Sequence, residues 1–285
     1  MVDRAAVVRA VGWGRAFVAA GAAAACGTKG PGSAASDAGG GIGSGPVTGL
    51  GDGGGDWTSD AGPFEPVTPP DAAKGETDAG GYALCEGGVI PADRFTTGVV
   101  SFTPGDCAGF GQAQMPGIVE GPPVGGGANS GGLDVVSLGN GGEIVVSFAP
   151  NTIVDGPGPD FLVFENPFDV GGDPNHLYAE PAEVSVSSDG VNWTPFPCTA
   201  TSAPYGACAG WHLVDSNPDN CISPLDPSTA GGDPFDLHDV GVSSARYVRI
   251  VDKIVEACPA ADAGARPNSN GFDLDAIGIV NAGGP

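Results

Sequence analysis

From residue 97 onward the chain is punctuated by short runs in which apolar residues alternate with polar or small ones. These are 97–103 (TGVVSFT), 133–138 (LDVVSL), 143–149 (EIVVSFA), 160–166 (DFLVFEN), 182–189 (AEVSVSSD), 245–252 (ARYVRIVD) and 272–280 (FDLDAIGIV). Each is rich in Val, Ile or Phe and is bounded by Gly, Pro, Asn or Asp, the signature of short strands separated by turns. No window carries a helical stripe of apolar positions. Asn140-Gly141, between the second and third runs, predicts a tight hairpin. The pattern as a whole predicts an all-β domain built as a β-sandwich. Segment 198–244 is the exception: it has little strand pattern and holds Cys198, Cys208 and Cys221. A connection that long is usually functional or pinned by cross-links.

Upstream of the strands the texture changes twice. Residues 1–25 combine Arg4, Arg9 and Arg15 with the short apolar stretch AFVAAGAAAA, which ends at Cys26. That stretch is well short of the about 20 apolar residues a membrane span needs, and reads as an export signal. It is similar to a bacterial lipoprotein signal with Cys26 as the lipidated residue; a plain secretory signal cut after Ala-x-Ala is the alternative. Residues 26–80 are dominated by Gly, Ser, Ala, Pro and Asp without apolar period. Such a stretch buries too little surface to offset its chain entropy and reads as a disordered tether. Residues 81–285 are long enough for one domain with a substantial core.

Charge narrows the partners. The chain has 34 Asp and Glu against 10 Lys and Arg, a formal net charge of −24. Nucleic acid and anionic lipid need basic patches and are excluded as partners, so contact with a membrane is expected only through the lipid anchor. Beyond Cys26 the cysteines are even in number: Cys85, Cys107, Cys198, Cys208, Cys221 and Cys258. In an exported chain that implies three disulfides. Spacing does not decide the pairing; nearest neighbours, Cys85–Cys107, Cys198–Cys208 and Cys221–Cys258, are the expectation. No C-x-x-C is present to suggest zinc or redox chemistry.

Residues 183–196 (EVSVSSDGVNWTPF), 245–251 (ARYVRIV) and 271–280 (GFDLDAIGIV) resemble the core strands of discoidin-like, galactose-binding-like domains. The wider text of 81–285 is similar to bacterial cell-surface lipoproteins. The resemblance implies a jelly-roll sandwich whose better-known relatives bind sugars or surfaces, often with a structural calcium. It also implies that an acid on the closing strand, Asp273 or Asp275, can serve that calcium. The long 198–244 segment departs from the family pattern, and no ligand-binding residue carries over by motif.

Acids flank the apolar run Phe161–Phe164. Asp155 and Asp160 bracket a Gly-Pro turn, and Asp273 and Asp275 share one strand face at period two. Calcium takes six to eight oxygens from carboxylates and carbonyls on a sharply turning chain, so these four aspartates are the candidate metal ligands. The competing reading is that Asp155 and Asp160 hold the turn through side-chain to backbone bonds. Asp226, Asp233, Asp236 and Asp239, with His238 among them, form a second acidic cluster; calcium is again an option there, and turn and cap chemistry is the simpler account. Trp193 reads as core. Tyr205, Trp211 and His212 lie in the cysteine-rich segment and are the candidate ligand-binding rim, since sugar sites stack a ring face on an aromatic residue. The alternative is that Trp211 plugs the end of the sandwich.

Catalysis has no signature here. None of His176, His212 and His238 sits in H-E-x-x-H, and there is no G-x-S-x-G elbow. Among so many acids some pair always looks fit for glycoside hydrolysis, so that signal is empty. The sequence therefore points to a non-enzymatic protein at the outer membrane or cell surface that binds carbohydrate or another surface ligand. A purely structural or adhesive role is the alternative, and a glycoside hydrolase a more distant one.

Overall fold

The two-residue period of a strand shows directly in Tyr247–Asp252, where Val248, Ile250 and Asp252 are buried and Tyr247, Arg249 and Val251 only partly covered. A computed structural model describes residues 76–77, 80–85, 87–253, 257–258 and 268–284. Cys26, the signal-like residues 1–25 and nearly all of 26–80 lie outside the described residues. Backbone pairing begins inside the segment read as tether, with Glu76–Thr77 against Gly81–Ala83.

The protein is all-β, with no α-helix among the described residues. Nor is any helix there long and apolar enough to cross a membrane. A five-stranded antiparallel sheet runs in the order Thr194–Pro195, Ala182–Ser187, Tyr247–Asp252, Glu143–Ser147, Gly98–Thr103. A three-stranded antiparallel sheet places Phe161–Phe164 between Asp233–Phe235 and Ala276–Ile279. Val146, Val184, Val248 and Ile250 of the larger sheet share one core with Phe161, Val163, Ile277 and Ile279 of the smaller. Phe161 lies at its centre. Its ring stacks on Phe235 (centroids 5.1 Å apart, planes at 14°) and meets Phe196 edge-on at 5.9 Å.

Phe161–Phe164 is buried on both faces because segment 198–244 covers the other side. Leu162 and Phe164 pack there with Val214 and Ala230. That segment also contributes the edge strand Asp233–Phe235, which sequence periodicity misses because its text, Asp-Pro-Phe, has low strand propensity. An edge tolerates Pro234, whose missing N–H leaves no ladder bond unmade.

Asn140-Gly141 does turn the chain: Gly142 N–H donates to Gly139 O at 2.9 Å, and Gly141 has φ +72°. It closes no hairpin, however. Val136–Ser137 pairs with Asp273–Leu274, whereas Glu143–Ser147 pairs with Tyr247–Asp252 and Gly98–Thr103. The turn is a corner at which the chain passes to another sheet. Trp193 is not core either. It is half-buried on the outer side of the larger sheet, with the Arg249 guanidinium 4.8 Å from its ring centroid.

The cysteines form three disulfides, Cys85–Cys221, Cys107–Cys258 and Cys198–Cys208. Only the last is a nearest-neighbour pair. The others join residues 136 and 151 positions apart, which sequence spacing does not foresee. Three such bonds belong to an oxidising environment outside the cytoplasm.

Candidate functional site

Asp160 answers the turn question. It is fully buried, and its carboxylate accepts from Gly156 N–H (2.8 Å), Asn281 Nδ2 (2.8 Å) and Leu237 N–H (2.7 Å). Three donors fill most of the about four acceptor positions of a carboxylate. They tie the Gly-Pro turn to the far edge strand and to the end of the closing one. Exposed Asp155 stands near Asp160 and Asp236, and its Oδ2 is 3.9 Å from His238 Nδ1. Asp236 accepts from His238 N–H at 2.9 Å, the cap of the turn Leu237–Val240, and Asp226 accepts from Ser228 N–H and Oγ at 2.9 and 2.6 Å. In the second acidic cluster, then, Asp226 and Asp236 do turn and cap work.

Asp155 and Asp160 are not brought together with Asp273 and Asp275. Asp275 is buried and accepts from Val124 N–H at 2.8 Å. Asp273 instead faces Glu165 and Glu180, with one carboxylate oxygen from each residue within 4.8 Å of the others. Glu165 follows the central strand Phe161–Phe164, Glu180 shortly precedes Ala182–Ser187, and Asp273 opens the Asp273–Leu274 ladder. All three are sealed, at 2, 2 and 4 % exposure. Burial pushes Asp273 up to about 7, against hydrogen bonding from Ser137 and Asn166 that favours its charged form. Burial, with Asp273, Glu180 and Asp233 nearby, raises Glu165 well above the usual carboxylate range. In the sequence Glu165 stands only as one of the acids flanking Phe161–Phe164 and Glu180 carries no signal, since their meeting depends on how separate strands end.

A raised pKa on a buried acid means that the folded protein holds protons the unfolded chain releases. With divalent cations chelated, stability is therefore expected to fall as pH rises from about 4 to about 7, the window between the Asp273 values of 3.8 and about 7. Thermal unfolding at pH 4, 5.5 and 7 in chelator checks this, and stability that rises through that range contradicts it.

Asp233 is the remaining buried acid of the second cluster, and it does more than cap. Its Oδ2 accepts from Gly210 N–H (2.6 Å) and Trp211 N–H (3.3 Å), and its Oδ1 lies 2.7 Å from His212 Nδ1. Burial raises Asp233, while His212 and the two amides stabilise its charge. Gly210 is required here: at φ +89°, a Cβ would fall 2.4 Å from Glu180 O. Through its Nδ1, His212 is held against the buried Asp233 carboxylate. Trp211 Nε1 donates to Cys208 O at 3.0 Å, and its ring lies 3.8 Å from that of His212, centroid to centroid.

Trp211 and His212 line an open groove of about 1100 Å³, together with His176, Asp215, Ser228 and others. Tyr205 is not part of the lining; it backs Trp211 edge-on with centroids 6.3 Å apart. Half-buried Trp211 therefore forms a wall of the groove. The Ser228 hydroxyl donates to Asp226, not to His212. What the groove offers is an indole surface, an imidazole and hydroxyls on a wall fixed from behind.

Comparison of the chain with protein-family models, with curated proteins and with solved structures found no match.

Proposed function

We propose that this is an exported, lipid-anchored surface protein whose jelly-roll sandwich binds carbohydrate without turning it over. The groove beside Trp211 carries the reading. Its indole N–H is already bonded within the protein, so the ring has only surface to offer, and a sugar's apolar ring face suits that surface. His212 and Ser228 add polar groups for hydroxyls around it. The net charge of −24 selects among sugars: neutral or amino sugars are favoured over sulfated or uronic ones. The sandwich topology and the lipid anchor at Cys26 belong to the same proposal and are supported by the strand motifs and the amino-terminal text.

A glycan array tests it, probed with the full chain carrying its native disulfides. Signals on neutral or amino glycans that disappear in Trp211→Ala are the expected outcome. A blank array at high protein concentration, or binding that survives the substitution, overturns the reading.

A further inference from the structure

Among the described residues, Glu165 Oε2 and Asp273 Oδ1 are carboxylate oxygens shut away from water with nothing donating to them. Both belong to the group in which Glu165, Glu180 and Asp273 bring oxygens within 4.8 Å of one another. Buried carboxylates this close repel each other strongly, and burial removes the water that would otherwise screen them. Among the described residues, neither Glu165 nor Asp273 has a basic partner. From these observations we infer that Glu165, Glu180 and Asp273 form a buried site for one calcium ion.

The chemistry of the donors selects the ion. All three are carboxylates, with no imidazole or thiolate, so the site suits a hard cation rather than zinc or copper. Calcium–oxygen distances of about 2.3–2.6 Å allow ligands on opposite sides of the ion to stand nearly 5 Å apart. The spacing here falls within that span. Magnesium holds several of its waters tightly, and a sealed cluster has little room for them. Calcium accepts bidentate carboxylates and sheds water more readily.

The ion's structural role follows from where its ligands sit. Glu165 ends the central strand of the smaller sheet, Glu180 leads into a strand of the larger, and Asp273 belongs to the closing ladder. One ion would tie all three together beside Asp233. Asp155 and Asp160 are not part of this site; they stand on a separate turn with Asp236. The inference does not depend on the groove binding sugar.

Thermal unfolding of the full chain at pH 7.5, in calcium and in chelator, tests it. With calcium roughly a hundredfold above its dissociation constant, the unfolding midpoint is expected to rise by about 5–11 °C. Titration calorimetry with calcium chloride should give one ion per chain. Glu165→Gln keeps the shape and cannot ionise, so it should unfold no lower than the wild type in chelator while losing the calcium response. Asp155→Asn should keep that response. No calcium shift in the wild type, a shift that survives Glu165→Gln, or one lost in Asp155→Asn overturns the site. An equal shift with magnesium overturns the choice of calcium.

Discussion

Replacing Cys85 and Cys221 together by alanine is expected to lower the free energy of unfolding by about 5 kcal/mol. The bond closes a loop of 136 residues, and the entropy that a cross-link withholds from the unfolded chain grows with the logarithm of loop length. Cys198–Cys208, closing 10 residues, is worth about 3 kcal/mol on the same reasoning. Double substitutions distinguish the observed pairing from the nearest-neighbour one. Cys85→Ala with Cys221→Ala removes one bond and should cost about as much as either alone. Cys85→Ala with Cys107→Ala removes two bonds, for a total near 10 kcal/mol, comparable with the whole stability of a typical domain. Urea unfolding of the four proteins checks this. If the Cys85 and Cys107 pair proves the cheaper, the connectivity is wrong.

Phe161→Ala is the second large effect, a loss of about 3–5 kcal/mol. The ring is fully buried between the two sheets, stacked on Phe235 and edge-on to Phe196. Phe235 belongs to a paired strand and Phe196 is tied to the larger sheet by its N–H donating to Val184 O at 2.9 Å, so neither can collapse into the space it leaves and the transfer and cavity costs add. For a domain of this size the unfolding midpoint should fall by roughly 6–20 °C. Val191→Ala, at a side chain 77 % exposed, is the control and should stay within about 0.5 kcal/mol. A loss below about 1 kcal/mol at Phe161 would mean the sheets do not share this core.

Periodicity carried much of this fold. Every strand-like run from 97 to 280 contains strand residues: period two marks a strand with one covered face, such as Tyr247–Asp252, and the continuous apolar run marks Phe161–Phe164, buried on both. What escaped were the features made by tertiary partners. Asp233–Phe235 is a strand only because Phe161–Phe164 offers it a free edge. Asn140-Gly141 looks like a hairpin turn, yet Val136–Ser137 finds its partner in Asp273–Leu274. Of the candidate site, Trp211 and His212 are legible as polar-tipped rings in a long loop, but the Asp233 carboxylate that fixes them looks in the sequence like any turn aspartate beside Gly231-Gly232 and Pro234. Glu165 and Glu180 carried no signal as a pair, since nothing local shows that two strand ends converge on Asp273.

We propose that the groove lined by Trp211 and His212 is where this protein meets its ligand. The direct measurement is a two-dimensional amide and indole NMR spectrum of the full chain, titrated with the soluble form of the glycan that gives the strongest array signal. The account predicts shifts centred on Gly210, Trp211 and His212, including the Trp211 Nε1–H, with the outer face near Trp193 unmoved. Shifts centred on Trp193, or a spectrum that does not change, would contradict it.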